Sequence, residues 1–353
     1  MTTSNVSHPI CSIVPPYILT RLAADPSRAT AAAAARRTLT VIDRVEAARS
    51  VPRQVPSRAG GTAFAPSLRR TIADALGLEE LPGKVVRSEG QPPTSDAAVD
   101  ETYTGLGATY RLFNDAYGRS SLDGAGRPLD ATVHYGRNYD NAFWDGSRMV
   151  LGDGDGEVFQ RFSKSLTVIG HELTHGLIQY TAQLAYQDQA GALNESVADV
   201  FGVLVEQKML GQDTGQASWL VGEGLFTAQV GGQALRALKA PGTAYDDDVL
   251  GKDPQPDSMD GYVATTSDNG GVHVNSGIPN RAFYLVAAAL GGYAWERAGQ
   301  VWYDTIIQRN FPADATFAVF AAATLTAAEK RYGAGSEETS AVQAAWKEVN
   351  VMV

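Results

Sequence analysis

Two histidines and a glutamate lie within the five residues His171-Glu172-Leu173-Thr174-His175. On a helix, residues four apart share a face, so both imidazoles can bind one metal ion. A Zn²⁺ ion held in this way lowers the pKa of a water molecule to near neutrality, and Glu172 can take the proton without binding the metal. The alternative is an amphipathic helix with two histidines merely side by side. The apolar flanks predict a buried helix, where two histidines without partners are costly, so the pattern favours metal-assisted hydrolysis.

A catalytic zinc site needs a third protein ligand and an open position. Glu195 and Asp199 are four residues apart in the next helical stretch and project from one face. We expect Glu195 to bind the metal and Asp199 to accept a hydrogen bond from the distal nitrogen of a ligand histidine. Asn194 is expected to support the ligands as well. Alone, these acids would indicate a solvated helix face; the upstream histidines favour the ligand interpretation.

The zinc-binding segments and the blocks at residues 141–144, 152–156, 191–202 and 268–277 resemble the thermolysin family of zinc endopeptidases. The blocks follow the family's order and similar separations. The likeness is greatest to protealysin-type members, whose short N-terminal prosegment carries the motif seen here as Pro15-Pro16-Tyr17. The resemblance implies an α+β fold of two lobes, β-rich at the N-terminal side and α-helical at the C-terminal side, with the zinc helix between them. It also implies zinc as cofactor and peptides or proteins as substrates.

The resemblance assigns further catalytic roles. His273 looks like the family's second catalytic histidine, which stabilises the charge on the tetrahedral intermediate, and Asp268 looks like the acid that orients it. An oxyanion needs such a positioned donor beyond the metal. Tyr186 is similar to the tyrosine that donates to the same oxygen.

Substrate-binding residues follow from the same resemblance. Arg236 resembles the arginine that binds a substrate carbonyl beyond the scissile bond, and Asn141 with Ala142 resembles the edge segment that pairs with the substrate backbone. The family prefers a bulky apolar residue on the amine side of the scissile bond. The positions that match the lining of that pocket are all apolar here, so we expect the same preference: Phe159, Phe162, Val168, Val221 and Leu235.

The composition is that of a globular enzyme of 353 residues, a length that predicts more than one domain. The net charge of −10 argues against nucleic acid and anionic membranes as partners. No apolar run approaches a membrane span, and the single cysteine, Cys11, permits no internal disulfide. The first twenty residues lack a basic leader followed by an apolar core, so we predict a cytoplasmic protein, or one exported without an ordinary signal peptide.

Composition divides the chain into three parts. Residues 1–58 form the predicted prosegment, with an alanine-rich helix at 29–48, and residues 51–61 form a linker rich in Pro, Gly and Arg that suits cleavage. Residues 59–182 are the β-rich lobe with the zinc helix, and residues 62–165 are predicted to be mainly strand. Residues 183–353 are the helical lobe, with predicted helices at 278–290, 298–307, 315–331 and 337–349.

The prosegment is predicted to inhibit its own enzyme. Pro15-Pro16 holds the backbone extended, and the apolar residues that follow can anchor it against the cleft until the chain is cut between about residues 51 and 66. Cys11, just before this motif, suggests a thiolate that blocks the zinc. Because the family's short prosegments do not depend on such a cysteine, we do not expect this role for Cys11. His134, in a strand pattern, is expected to be structural.

Calcium is where the chain departs from its relatives. Thermolysin-type enzymes hold a paired calcium site beside the zinc helix, and Glu206 and Glu223 match two of its acids. Thr167, Ser218 and Leu220 stand where the family often has acids. Since Ca²⁺ takes six to eight oxygen ligands, we expect the paired site to be absent and at most one weakly bound ion at Glu206 and Glu223.

Two other classes of protein make different predictions. A zinc protein that has lost catalysis predicts damage to Glu172 or His273, and both are intact. A structural zinc module needs a fourth cysteine or histidine, and none is suitably placed along the sequence. The sequence therefore predicts a zinc endopeptidase made as a zymogen, with Glu172 as general base.

Overall fold

A computed structural model of the chain describes residues 11–49 and 67–352. The predicted linker at residues 51–61 lies outside the described residues. The chain starts with two helices, α1 (Pro16–Ala23) and α2 (Ala29–Arg49), of which α2 matches the predicted alanine-rich helix. Pro16 occupies the first turn of α1, where its missing N–H costs no hydrogen bond. The backbone is extended at Pro15, but the prediction of an extended backbone at Pro16 is wrong, because a proline suits the first helical turn.

A five-stranded mixed sheet follows. Its strands are β1 (Arg70–Asp74), β2 (Lys84–Ser88), β3 (Leu129–Val133), β4 (Ala142–Trp144) and β5 (Met149–Leu151), in the order β2-β1-β3-β5-β4. The pairs β1–β3 and β3–β5 are parallel, whereas β1–β2 and β4–β5 are antiparallel. Strand β4 is therefore an edge strand of the sheet.

One helix interrupts the region that was predicted to be mainly strand. Helix α3 (Ala97–Arg111) lies between β2 and β3, so the strand prediction is wrong there. Val99, Tyr103 and Leu106 are buried and recur at helical spacing, a signal that glycines and threonines in the same stretch obscured. The Asp96 side chain begins the helix by accepting hydrogen bonds from two backbone N–H groups.

Two long helices cross the centre of the molecule, α4 (Leu166–Tyr180) and α5 (Asp188–Leu210). They can approach closely because glycines face each other: a Cβ on Gly202 would lie 2.6 Å from the Thr167 carbonyl oxygen. Ser165 is the N-cap residue of α4, but its side chain makes no capping hydrogen bond.

The rest of the chain is mainly helical. Two short hairpins, β6 (Leu220–Val221) with β7 (Arg236–Ala237) and β8 (Asp246–Asp247) with β9 (Gly251–Lys252), precede five helices. These are α6 (Asp268–Asn275), α7 (Gly277–Leu290), α8 (Ala298–Ile306), α9 (Phe317–Tyr332) and α10 (Glu337–Glu348). The last four match their predicted bounds closely, and the predicted α+β architecture, with a sheet first and helices after, is confirmed. Among the described residues, no helix is long and apolar enough to span a membrane.

Candidate active site

His171 and His175 lie one turn apart on the buried helix α4. His171 Nδ1 donates to Asp199 Oδ1 over 2.8 Å, and His175 Nδ1 donates to Asn194 Oδ1 over 2.9 Å. The Asn194 amide is oriented by its own donation to the Leu184 carbonyl. The two Nε2 atoms therefore point towards each other and lie 2.9 Å apart. In a pair of neutral imidazoles both atoms carry lone pairs, and a shared cation stabilises them at this distance, so the pair fits a metal ion.

Glu195, on α5, completes a three-ligand group. One carboxylate oxygen lies 3.5 Å from His171 Nε2 and the other lies 3.5 Å from His175 Nε2. Ligands about 2.0–2.1 Å from a tetrahedral zinc ion lie about 3.3 Å from each other, so the spacing suits zinc. Oxygen Oε2 is buried and has no hydrogen-bond partner in the part of the chain that the structure describes. A bound cation would satisfy a buried carboxylate oxygen left in this way.

Burial and neighbouring charges shift the pKa values of His175 and of Asp199. Burial, together with His171, lowers the pKa of His175 to about 3, so its imidazole is neutral. Burial alone would raise the pKa of Asp199, but Arg236 and His171 outweigh it and hold this pKa below its ordinary value. Asp199 is thus an anion that fixes the tautomer of a ligand histidine.

Glu172 is fully buried beside these ligands. Burial, followed by the charge of Glu195, raises its pKa well above that of an ordinary glutamate. Neither of its oxygens accepts a side-chain hydrogen bond within the described residues. Its carboxylate is therefore not committed to another side chain and has the chemistry of a general base.

His273 faces the ligands from helix α6, which begins with a non-helical turn. Gly270 has φ +87°, and a Cβ there would lie 2.1 Å from Asp188 Oδ1, so this turn requires glycine. The turn lets Asp268 Oδ1 accept a 2.6 Å hydrogen bond from His273 Nδ1. Burial alone would lower the pKa of His273, but Asp268 and Glu195 raise it to about 9. The imidazole is thus protonated and can donate from Nε2.

Tyr186 lies between these groups. Its hydroxyl donates to Glu195 Oε1 over 2.6 Å and is 3.3 Å from His273 Nε2. The structure thus brings Tyr186 and His273 together with the three candidate ligands.

Residues 12–14 of the prosegment lie along the free edge of β4. Ser12 forms an antiparallel bridge with Phe143, and the Ile13 N–H donates to the Ala142 carbonyl over 3.1 Å. The Val14 N–H donates to Asn141 Oδ1 over 2.9 Å, and Asn141 Nδ2 donates back to the Val14 carbonyl over 3.3 Å. The segment is thus bound as an added strand.

Arg236 contacts both the prosegment and Asp199, the carboxylate that accepts a hydrogen bond from His171. Its Nη1 donates to the Ile13 carbonyl over 2.9 Å, while Nε and Nη2 each donate to Asp199 over 2.8 Å. The residues predicted to hold a substrate backbone therefore hold the prosegment backbone. Sequence reasoning did not find Asn280, whose Nδ2 also donates to Asp199 over 2.9 Å; it comes from α7, and nothing local signals this long-range contact.

Cys11 lies at the metal site. Its sulfur, a nitrogen of His175 and an oxygen of Glu195 are all within 4.8 Å of one another, and all three residues are buried. The expectation that no cysteine is suitably placed beside the metal is wrong, because the pairing of Ser12 with β4 carries the preceding residue to the ligands.

Two other groups of side chains were singled out in the sequence. Burial and the charge of Glu223 raise the pKa of Glu206 to about 7. Thr167, in place of a family acid, accepts a hydrogen bond from the Gly222 N–H. His134 bonds Asp96 and Asp153 through its two ring nitrogens, a structural arrangement.

Comparisons with known proteins agree with this site. The model of the thermolysin metallopeptidase catalytic domain matches residues 74–179, and that of the α-helical domain matches residues 182–351. The chain belongs to the thermolysin family of metallopeptidases, and it is a zinc-dependent peptidase.

Individual relatives refine the likeness. The chain is 49% identical to the extracellular metalloprotease of Pectobacterium carotovorum subsp. carotovorum over 98% of both chains. It is 38% identical to the thermolysin of Alicyclobacillus acidocaldarius subsp. acidocaldarius, over 72% of this chain and 46% of that one. The solved precursor of protealysin from Serratia proteamaculans matches with a TM-score of 0.87 and 49% identity, covering 97% of this chain and 100% of that one. The thermolysin-like fold and the protealysin-like character are thus confirmed.

Proposed function

We propose that this chain is the precursor of a zinc endopeptidase in which His171, His175 and Glu195 bind the metal and Glu172 is the general base. The observation that carries the proposal is the meeting of the two ligand Nε2 atoms, 2.9 Å apart, with the Glu195 carboxylate, whose Oε2 has no hydrogen-bond partner among the described residues. Asp199 and Asn194 orient the two imidazoles through their Nδ1 atoms.

Bound zinc would polarise the substrate carbonyl and lower the pKa of the attacking water molecule. Glu172 takes a proton from this water and passes it to the leaving amine. His273, kept protonated by Asp268, donates from Nε2 to the oxygen that gains negative charge, and Tyr186 is the second donor. In the precursor, the Tyr186 hydroxyl donates to Glu195, so it must turn towards the substrate for this role.

The prosegment contacts support the assignment of the substrate-binding residues. Asn141, Ala142 and Arg236 would bind a substrate backbone through the atoms that now bind Ile13 and Val14. The candidate pocket residues Phe159, Phe162, Val168, Val221 and Leu235 are fully buried and apolar. This supports cleavage on the amine side of a bulky apolar residue, because such a pocket gains free energy by covering apolar surface.

We further propose that residues 1–58 are an inhibitory prosegment, residues 59–182 the β-rich lobe and residues 183–353 the helical lobe. The strand added at β4 occupies the place that a substrate needs. Cleavage between about residues 51 and 66, in a stretch outside the described residues, would leave the prosegment held only by non-covalent contacts. A relative named as extracellular supports export of this enzyme after synthesis in the cytoplasm.

The test combines metal analysis with peptide hydrolysis. The processed enzyme should contain one zinc per chain and cleave peptides with Leu or Phe after the scissile bond at least about tenfold faster than matched peptides with Gly there. An active-site inhibitor should bind the intact Glu172→Gln precursor more weakly than the processed form of the same variant. Equal affinities would show that the prosegment does not block the cleft. A zinc-free active enzyme would refute the metal mechanism.

A further inference from the structure

The prosegment lies in the cleft in the register of a substrate. The Ser12 carbonyl accepts a 2.9 Å hydrogen bond from His273 Nε2, the donor proposed for the reacting oxygen. The next carbonyl, that of Ile13, accepts from Arg236, the residue proposed to bind the carbonyl beyond the scissile bond. The Ser12–Ile13 bond therefore occupies the position of a bond to be cut. Hydrolysis requires, in addition, a water molecule at the metal beside Glu172.

Cys11 lies beside the predicted zinc ligands. Its side chain is 7% exposed and packs in a small buried cluster with Tyr186 and Val272. The sulfur lies within 4.8 Å of ligand atoms of both His175 and Glu195. Independently of the cysteine, Glu195 Oε2 is buried without a hydrogen-bond partner in the described chain and lies 3.5 Å from the Nε2 atoms of His171 and His273. A cation bound among these ligand atoms would satisfy it.

We propose that the Cys11 thiolate is the fourth zinc ligand of the intact precursor, in place of the catalytic water. The proposal rests on the zinc site assigned above to His171, His175 and Glu195. Four protein ligands close a zinc site, whereas catalysis needs an open position. On binding, the thiol gives its proton to solvent, the Zn–S bond forms and the bound water leaves; no oxidant or reductant is needed.

This ligand explains how a substrate-like segment can remain intact in its own active site. With the fourth position filled by sulfur, Glu172 has no metal-activated water from which to take a proton, although the Ser12–Ile13 bond is aligned. Removal of the prosegment withdraws the sulfur and opens the position to water. The alternative is that the Ser12 carbonyl oxygen fills the fourth position, with Cys11 serving only as a buried apolar residue.

X-ray absorption at the zinc edge separates these two arrangements. The sample is the full-length, zinc-loaded Glu172→Gln precursor, which cannot cut itself, and its zinc content is measured in parallel. We expect one sulfur at about 2.3 Å and three nitrogen or oxygen ligands at about 2.0–2.1 Å. The matched variant Cys11→Ser in the same background should keep its zinc but lose the sulfur signal. Cobalt-loaded precursor should show thiolate-to-metal charge-transfer absorption that Cys11→Ser abolishes.

The outcomes are distinct. Bound zinc with only nitrogen and oxygen ligands in the unsubstituted precursor overturns the role of Cys11 and leaves the proposed peptidase site standing. Absence of zinc from a correctly folded precursor overturns both. Because the first spectrum needs no change at Cys11, the proposal is decided even if the cysteine variants fail to fold.

Discussion

Arg236 and Asp199 form a two-point ion pair in which both side chains are fully buried and both N–O distances are 2.8 Å. The carboxylate also accepts from the ligand His171, and the guanidinium also donates to the Ile13 carbonyl. The pair therefore links the geometry of the metal site to the occupancy of the cleft. Residues that hold a ligand histidine and residues that hold the peptide backbone belong to one hydrogen-bonded unit.

Arg236→Ala should destabilise the precursor by about 3–5 kcal/mol, because it leaves the Asp199 carboxylate buried without its cation. Urea unfolding of the zinc-loaded Glu172→Gln precursor measures the change. Arg281→Ala is a matched control, since this arginine is partly exposed, donates to the Lys239 carbonyl and lies over the Tyr284 ring. If both substitutions lower the free energy of unfolding by the same amount, the buried ion pair contributes no more to stability than the contacts of Arg281.

Glu172→Gln should retain zinc and lower peptide hydrolysis by at least about a hundredfold, the usual scale for loss of a general base. The amide keeps the size of the side chain but cannot accept the proton. Zinc content and turnover are measured on the same processed sample. Near-normal turnover by a zinc-loaded variant would exclude Glu172 as the base.

His175→Ala and Glu195→Ala should each lose zinc, whereas His273→Ala should retain zinc and lose turnover. The reason is that His273 Nδ1 is bonded to Asp268 and its Nε2 is protonated, so the ring offers no lone pair to a metal. Metal analysis after dialysis distinguishes the two groups of variants. An empty site in His273→Ala would show that the histidine helps to bind the metal.

His134 should stabilise the protein in a pH-dependent manner. Its hydrogen bond to Asp153, aided by Asp96, raises its pKa from 6.5 to about 9. A pKa that is raised on folding favours the folded state most at pH values below 6.5, and this stabilisation is lost as the pH rises from 6.5 to about 9. Arg161, which also faces both aspartates, stays charged over this range.

His134→Asn tests this pair. Asparagine tolerates the positive φ of +53° at this position but carries no charge. The variant should lose on the order of 1 kcal/mol of unfolding free energy at pH 6, a small value because the two aspartates are partly exposed and screened. At pH 10 the loss should be clearly smaller, because His134 is then neutral. An equal loss at both pH values would mean that the charge of His134 contributes nothing.

Calcium should stabilise the protein only weakly. With Glu206 and Glu223 as the candidate acids, a millimolar dissociation constant gives about 0.4 kcal/mol when the calcium concentration equals that constant. Thermal unfolding of zinc-loaded protein with and without calcium measures this effect, and Glu206→Gln should remove it. A stabilisation of several kcal/mol by calcium would show that a strong site exists.

Local sequence determined much of the molecule. The four-residue spacing of His171 and His175 on one helix, and of Glu195 and Asp199 on another, already specifies which side chains share a face, because helical geometry sets it. The helices of the second lobe were predicted within a few residues for the same reason. Helix α3 was missed because glycines and threonines weaken its apolar periodicity.

Only the tertiary structure brings Cys11 to the predicted metal ligands. Cys11 and His175 are far apart along the chain, and only the pairing of Ser12 with the edge strand β4 places the sulfur beside the ligands. Asn280 joins Asp199 in the same way, from a helix with no catalytic motif. Such contacts depend on the register of a strand and on the packing of helices, which are properties of the whole fold. The residue types thus indicated the chemistry of the candidate site, and the packing places residues 11–13 of the same chain beside it.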